Sequence, residues 1–104
     1  MRPVISEAAW GSLDSLAEYW SDTNSDERTL QKVDELLEAV LWLASWPGAG
    51  TTELYLEHKG RLYRKWTVGN VKIIFFVHVD ELRVVDFFDA RQDPRKMKGR
   101  VPDV

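Results

Sequence analysis

GRLYRKWTVGNVKIIFFVHVDELRVVDFFDARQDPRKM, residues 60–97, decides the fold. It predicts three consecutive antiparallel strands joined by tight turns. Leu62–Val68 is the first strand. Gly69-Asn70 supplies a two-residue turn of the primed kind, because both residues tolerate positive φ. Val71–Val79 is the most apolar strand. Val71, Ile73, Phe75, Val77 and Val79 point one way, and Lys72, Ile74, Phe76 and His78 the other. Two largely apolar faces predict a central strand that is at least partly covered on both sides. Asp80-Glu81 gives the next turn. Leu82–Phe88 closes the sheet, with Leu82, Val84 and Phe88 on one face and Arg83, Val85 and Phe87 on the other. Asp89–Pro94 then leaves the ladder, since Pro94 has no N–H to donate. Arg95–Arg100 reads as a basic tail of one helical turn or less.

Upstream of this stretch the period changes from two to 3.6. Pro3-Val4-Ile5 is a short extended start, placed as an edge strand. Ser6 caps a helix running to about Ser21, with Ala9, Leu13, Leu16, Ala17 and Trp20 on one stripe and Trp10 widening it. The polar cluster Ser21–Ser25 turns the chain. Ser25, Asp26 and Glu27 start a second helix that reaches about Ser45 and is stopped by Pro47-Gly48. Its stripe is Leu30, Val33, Leu37, Val40, Leu41 and Ala44, extended by Leu36, Leu43, Trp42 and Trp46. So wide an apolar surface predicts burial between the first helix and the sheet, or else an aromatic patch that meets a partner. Thr51–Glu57 alternates, with Leu54 and Leu56 on one side, and is read as a short strand or an extended lead-in. The expected architecture is α+β, in the order β-α-α-β-β-β. An N-terminal strand and a helical hairpin pack on one face of a small twisted antiparallel sheet, in one domain over residues 1–104. The opposite face is expected to be open in part, with apolar and basic groups side by side.

Charge is unevenly spread. Residues 1–57 carry a net −8 and residues 58–104 a net +5, against −3 overall. An acidic layer and a basic layer result, and a basic layer suits a polyanion. There are no cysteines, which excludes disulfides, thiolate zinc sites and a cysteine nucleophile. Apolar runs such as Ile73–Val77 are far too short for a membrane span. The start, Met1–Trp10, has no signal-peptide pattern, so a cytoplasmic location with no membrane partner is expected.

Few catalytic patterns are present. Gly48 and Gly50 are not followed by the lysine and helix of a phosphate loop. The two histidines, His58 and His78, form no HExxH pair, so neither metal nor cofactor is expected. What remains is a cation cluster. His58, Lys59, Arg61, Arg64 and Lys65 lie on or before the first strand of the stretch, Lys72 lies across the hairpin, and Arg91 leaves the last strand. Lys65, Lys72 and Arg91 are the candidate catalytic set. Sharing a face, they can grip a phosphate, stabilise a pentavalent phosphorus and supply a base in metal-free RNA cleavage. Lys59, Arg61, Arg64, Arg95, Trp42 and Trp46 are the candidate binding residues. The competing reading makes the cations ordinary strand residues, some paired with Asp86, Asp89 or Asp93.

Four segments, in order, resemble toxins of the RelE/ParE superfamily, the toxin half of type II toxin–antitoxin (plasmid stabilisation) modules. PVISEAA (3–9) is similar to that family's first strand and helix start, and LASWPGAG (43–50) to its L…P..G helix ending. VGNVKIIFFV (68–77) is similar to the vGxyRIxYxV hairpin, and FFDARQDPRKM (87–97) to the closing strand with its RxDP exit. The resemblance implies a cognate antitoxin as partner and one of two targets. RelE-like members are ribosome-dependent mRNA endonucleases, and ParE-like members poison DNA gyrase without a catalytic set. By motif, Lys65 falls on a first-strand cation, Lys72 on the hairpin Arg and Arg91 on the post-strand Arg. The C-terminal Tyr of the nucleases falls at about Met97, and no Tyr follows Tyr63. Asp89 stands where ParE-like members often carry His. The balance points to a ParE-like toxin that inhibits growth by binding a target such as gyrase. The alternatives are a RelE-like nuclease acting on ribosome-bound mRNA and an inactive member that only binds a partner.

Overall fold

A computed structural model gives the structure and describes residues 1–101, so the last three residues of the expected 1–104 domain lie outside it. The chain runs β1 (Arg2–Ile5), α1 (Glu7–Ser21), α2 (Asp26–Ser45) and β2 (Thr51–Thr52), then a 3₁₀ segment (Leu54–Lys59). It continues through β3 (Arg64–Val68), β4 (Val71–His78) and β5 (Glu81–Asp89), and ends in a 3₁₀ turn (Pro94–Lys96) and α3 (Met97–Arg100). The five strands make one α+β sheet in the order β1-β5-β4-β3-β2. β4 is central, as its two apolar faces predict. β1 is an edge strand and pairs parallel with β5, while the other pairings are antiparallel.

Both long helices start where their caps place them. The Ser6 Oγ accepts from the Ala9 N–H at 3.0 Å, and the Ser25 Oγ from the Arg28 N–H at 3.1 Å. Each bond satisfies a donor that the first helical turn leaves open. Ala9, Leu13, Leu16 and Trp20 of α1 are buried as the stripe requires. In α2 the buried side is Thr29, Leu36, Val40, Leu43 and Ala44, so the stripe is rotated from the expected one. Leu30 and Leu41 face water instead. Ala9, Leu13, Leu16 and Trp20 of α1, Leu36, Val40 and Leu43 of α2, Val71, Ile73 and Phe75 of β4 and Leu82, Val84 and Phe87 of β5 form the main core, on the helical face of the sheet. Gly50 is required beside it: a Cβ there would stand 2.7 Å from the Lys65 carbonyl oxygen and 2.8 Å from the Phe75 Cζ.

One expectation is sharpened and two are corrected. First, the opposite face is open only in part, and much of it is covered. Leu56, Tyr63, Ile74, Phe76, Phe88, Met97 and Val101 form a second buried cluster there. Its cover comes from the Leu54–Lys59 3₁₀ segment and the C-terminal turn. Only Thr51–Thr52 of the alternating Thr51–Glu57 run is strand, and Leu56 is buried while Leu54 is exposed. Second, β5 does not alternate strictly. Ile74 pairs with Asp86 and Phe75 with Val84, which leaves Val85 as an extra residue, a β-bulge. Beyond the bulge the faces swap, so Phe87 enters the helical core and Phe88 the second cluster. Third, the β4–β5 turn is Val79-Asp80, because His78 already pairs with Glu81. Val79 sits at φ 56°, a left-handed conformation that strains a β-branched residue. In the other hairpin Gly69 alone takes positive φ, at 57°, and Asn70 does not.

Candidate functional site

The register decides which candidate cations meet. Lys65 pairs with Ile74, and Lys72 with Phe88, so both lysines stand on the second face. Arg91 follows Asp89, whose partner Val71 belongs to the helical face. Its guanidinium lies 5.9 Å from the Tyr19 ring of α1. The expected trio on one face is therefore corrected to a pair: the sheet separates Arg91 from the two lysines.

Two of the three are also engaged. The Lys72 Nζ donates to Glu53 Oε1 at 3.0 Å, and the Glu53 side chain is 1% exposed. A buried carboxylate needs a partner of this kind, because leaving it unpaired costs several kcal/mol (roughly 3–5). Glu53 is positioned by the turn into the 3₁₀ segment: its backbone N–H donates to the Tyr63 carbonyl, and its carboxylate accepts from the Tyr55 N–H. Arg91 is clamped by Asp89 through Nε at 3.1 Å and Nη2 at 2.9 Å. Those bonds hold the Asp89 carboxyl below its usual range against the opposing effect of burial, and they raise Arg91. Lys65 makes no ion pair among the described residues.

The expected binding cations divide in the same way. Lys59 is buried, and its Nζ donates to the Lys98 carbonyl at 2.7 Å, tying the 3₁₀ cover to the tail. Arg64 lies on the helical side and donates to the carbonyls of Gly48 and Gly50, fixing the loop after α2. Arg95 is exposed and clamped by Asp93 at 2.6 Å, which lowers Asp93 to about 2. Arg61 stacks on Phe76, 4.1 Å from the ring centroid. Trp42 and Trp46 are 43% and 63% exposed, so the wide stripe of α2 ends in an aromatic surface rather than in the core. Trp42 also packs on Trp66 of β3, with ring centroids 5.0 Å apart. Beside α1, an apolar groove of about 260 Å³ is lined by Pro3, Ile5, Trp10, Leu37, Val40 and Leu41.

Sequence reasoning missed two groups. Arg100 bridges Asp86 Oδ1 at 2.7 Å and the Ser12 hydroxyl at 2.8 Å, strapping the tail across the β5 edge to α1. Burial pushes the Asp86 carboxyl up, opposed by Ser12 and Arg100. The second group is Arg83 and His78, which join Arg61 around Phe76. Arg83 and His78 were visible as strand residues, but nothing in their spacing shows that Arg61 folds over them.

Chemically, the described residues offer scattered cations, several of them ion-paired, and exposed aromatic surface. No group of three or more metal-ligating side chains occurs among them, and no described helix is long and apolar enough to cross a membrane. No protein-family model matches the chain, and no curated protein matches it.

Proposed function

We propose that this chain is a RelE/ParE-like toxin that restrains growth by binding a target such as DNA gyrase, rather than by cleaving RNA. One observation carries the choice of binding over cleavage. Lys72 is held by buried Glu53, and Arg91 is held by Asp89 on the other side of the sheet. A metal-free nuclease needs a base and a phosphate grip within hydrogen-bond reach of one another, and the candidate set does not provide that pair. The order β-α-α-β-β-β-β, which adds the two-residue β2 to the expected order, supports the toxin reading, as do the sequence resemblances at residues 3–9, 43–50, 68–77 and 87–97.

A RelE-like nuclease is the second reading. It is favoured by Lys65, which shares a face with Lys72 and makes no ion pair among the described residues. In either case the partner is an antitoxin segment with apolar anchors. Exposed Trp42 and Trp46 would take those anchors, and the acidic N-terminal half would favour a basic partner. Expression without a partner, with growth recorded and RNA 5′ ends mapped, separates the readings. Arrested growth with intact mRNA is expected. Codon-positioned cuts would replace the proposal with the nuclease reading, and normal growth would leave partner binding alone.

A further inference from the structure

The end of the second face farthest from Arg91 carries a cationic pocket that the proposed function does not use. Phe76 and His78 alternate on β4, and Arg83 stands opposite Phe76 on β5. Arg61 arrives from the 3₁₀ segment through Gly60, whose φ of 84° turns the chain back over the sheet. The carbon of its guanidinium then lies 4.1 Å from the Phe76 ring centroid, and Arg61, Phe76, His78 and Arg83 line a pocket of about 180 Å³.

The charges around this pocket do not cancel. Glu81 is the carboxylate in contact, and it is shared: one oxygen accepts from Arg83 at 2.9 Å, the other from Arg2. Two guanidinium groups thus share one carboxylate, while Arg61 and the His78 imidazole line the same pocket. Arg61 makes no ion pair among the described residues. Its Nε is buried and has no hydrogen-bond partner. A guanidinium with no carboxylate partner can take tetrahedral oxygens through its terminal Nη donors. Contact with the Phe76 ring restricts the Arg61 side chain, so less rotamer freedom remains to be lost on binding.

We propose that this pocket binds a phosphate group, gripped by Arg61 with Arg83 and His78 completing the cradle. A phosphate presents enough oxygens to meet several donors at once, whereas a single carboxylate is already supplied by Glu81. The source is either a free phosphate or a phosphodiester of a nucleic-acid strand. The proposal does not rest on the toxin reading, because phosphate binding and growth arrest are measured separately.

The test is an NMR titration of the full chain with inorganic phosphate, and in parallel with a short single-stranded oligonucleotide, against chloride at matched ionic strength. The Arg61 and Arg83 Nε–Hε signals and the His78 ring signals should shift with phosphate and not with chloride. Arg61→Ala should weaken binding about tenfold or more, and Arg61→Lys, which keeps the charge but not the fork, by less. Arg28→Ala, on α2 and outside the pocket, should bind as the parent does. Unchanged amide signals elsewhere establish that the variants are folded, and Arg61→Lys carries the test if Arg61→Ala is not. Tighter binding of the oligonucleotide identifies a strand backbone as the source, and tighter binding of inorganic phosphate a free phosphate. Equal shifts in chloride, or undiminished binding in both Arg61 variants, would overturn the proposal.

Discussion

The two faces of the sheet are buried by different means. The helical face is covered by two long amphipathic helices, with the Arg91–Asp89 pair at one end. The second face is covered by short 3₁₀ turns and a single helical turn. Its smaller apolar cluster is stitched at the rim by Lys72–Glu53, Lys59–Lys98 and Arg100–Asp86. The lesson is that the basic half of this chain spends much of its charge on structure. Cations that read as a ligand-gripping face in sequence hold down a cover that has too little apolar area to hold itself.

Substitutions can break or sharpen that contrast. The largest effect belongs to the helical face. Phe75→Ala should cost about 3–5 kcal/mol in chemical denaturation, since the ring is fully buried and touches both helical and strand residues. Met97→Ala follows at about 2–4 kcal/mol, because Met97 is as deeply buried in the second cluster. A loss below about 0.5 kcal/mol, the level of an ordinary surface change, would mean that the tail is no part of a core. Glu53→Gln should cost about 2 kcal/mol, less than a fully buried pair because Lys72 keeps some contact with water. The double change Glu53→Leu with Lys72→Met should recover most of it; no recovery would deny that the two side chains act as a pair.

A smaller effect of opposite sign is expected at the β4–β5 turn. Val79→Asn should stabilise by about 1 kcal/mol, because asparagine tolerates the left-handed conformation that valine resists. An unchanged melting temperature would show that no strain is stored there. The last prediction concerns pH. Burial raises the Asp86 carboxyl above its usual value of 3.8, so the folded state holds this proton more tightly than the unfolded one. Stability from this group therefore falls as pH rises from the unfolded value through the folded one. Asp86→Asn removes that dependence, so its stability relative to the parent should improve with rising pH across the window. Asp89 and Asp93, lowered by Arg91 and Arg95, act in the opposite direction, and their contribution is lost as pH falls below 3.8. A relative stability of Asp86→Asn that is flat from pH 3 to 7 would contradict the placement of Asp86.

How far the sequence could be read follows the same division. Ala9, Leu13, Leu16 and Trp20 repeat with the helical period and announce their shared face. Ser6 and Ser25 announce where the helices begin. The second face has no such signal, because its cover has no period. Leu54 and Leu56 alternate like a strand, yet the 3₁₀ segment buries one and exposes the other. The Val85 bulge inserts a single residue, and that is enough to exchange the faces of Phe87 and Phe88. The same sensitivity governs the candidate site. The residue types of Lys65, Lys72 and Arg91 suggested a phosphate grip, but their faces and partners depended on register and on Glu53, which a period-two reading had placed in a strand. Trp42 and Trp46 differ again: the width of the α2 stripe was legible, while the absence of a covering layer was not.

The proposed function turns on binding without cleavage, and the most direct measurement is a paired assay on purified protein. One arm follows supercoiling by DNA gyrase, and the other maps cleavage of mRNA on translating ribosomes. Inhibited supercoiling with uncut mRNA is the predicted result. Cut mRNA with undiminished supercoiling would contradict it.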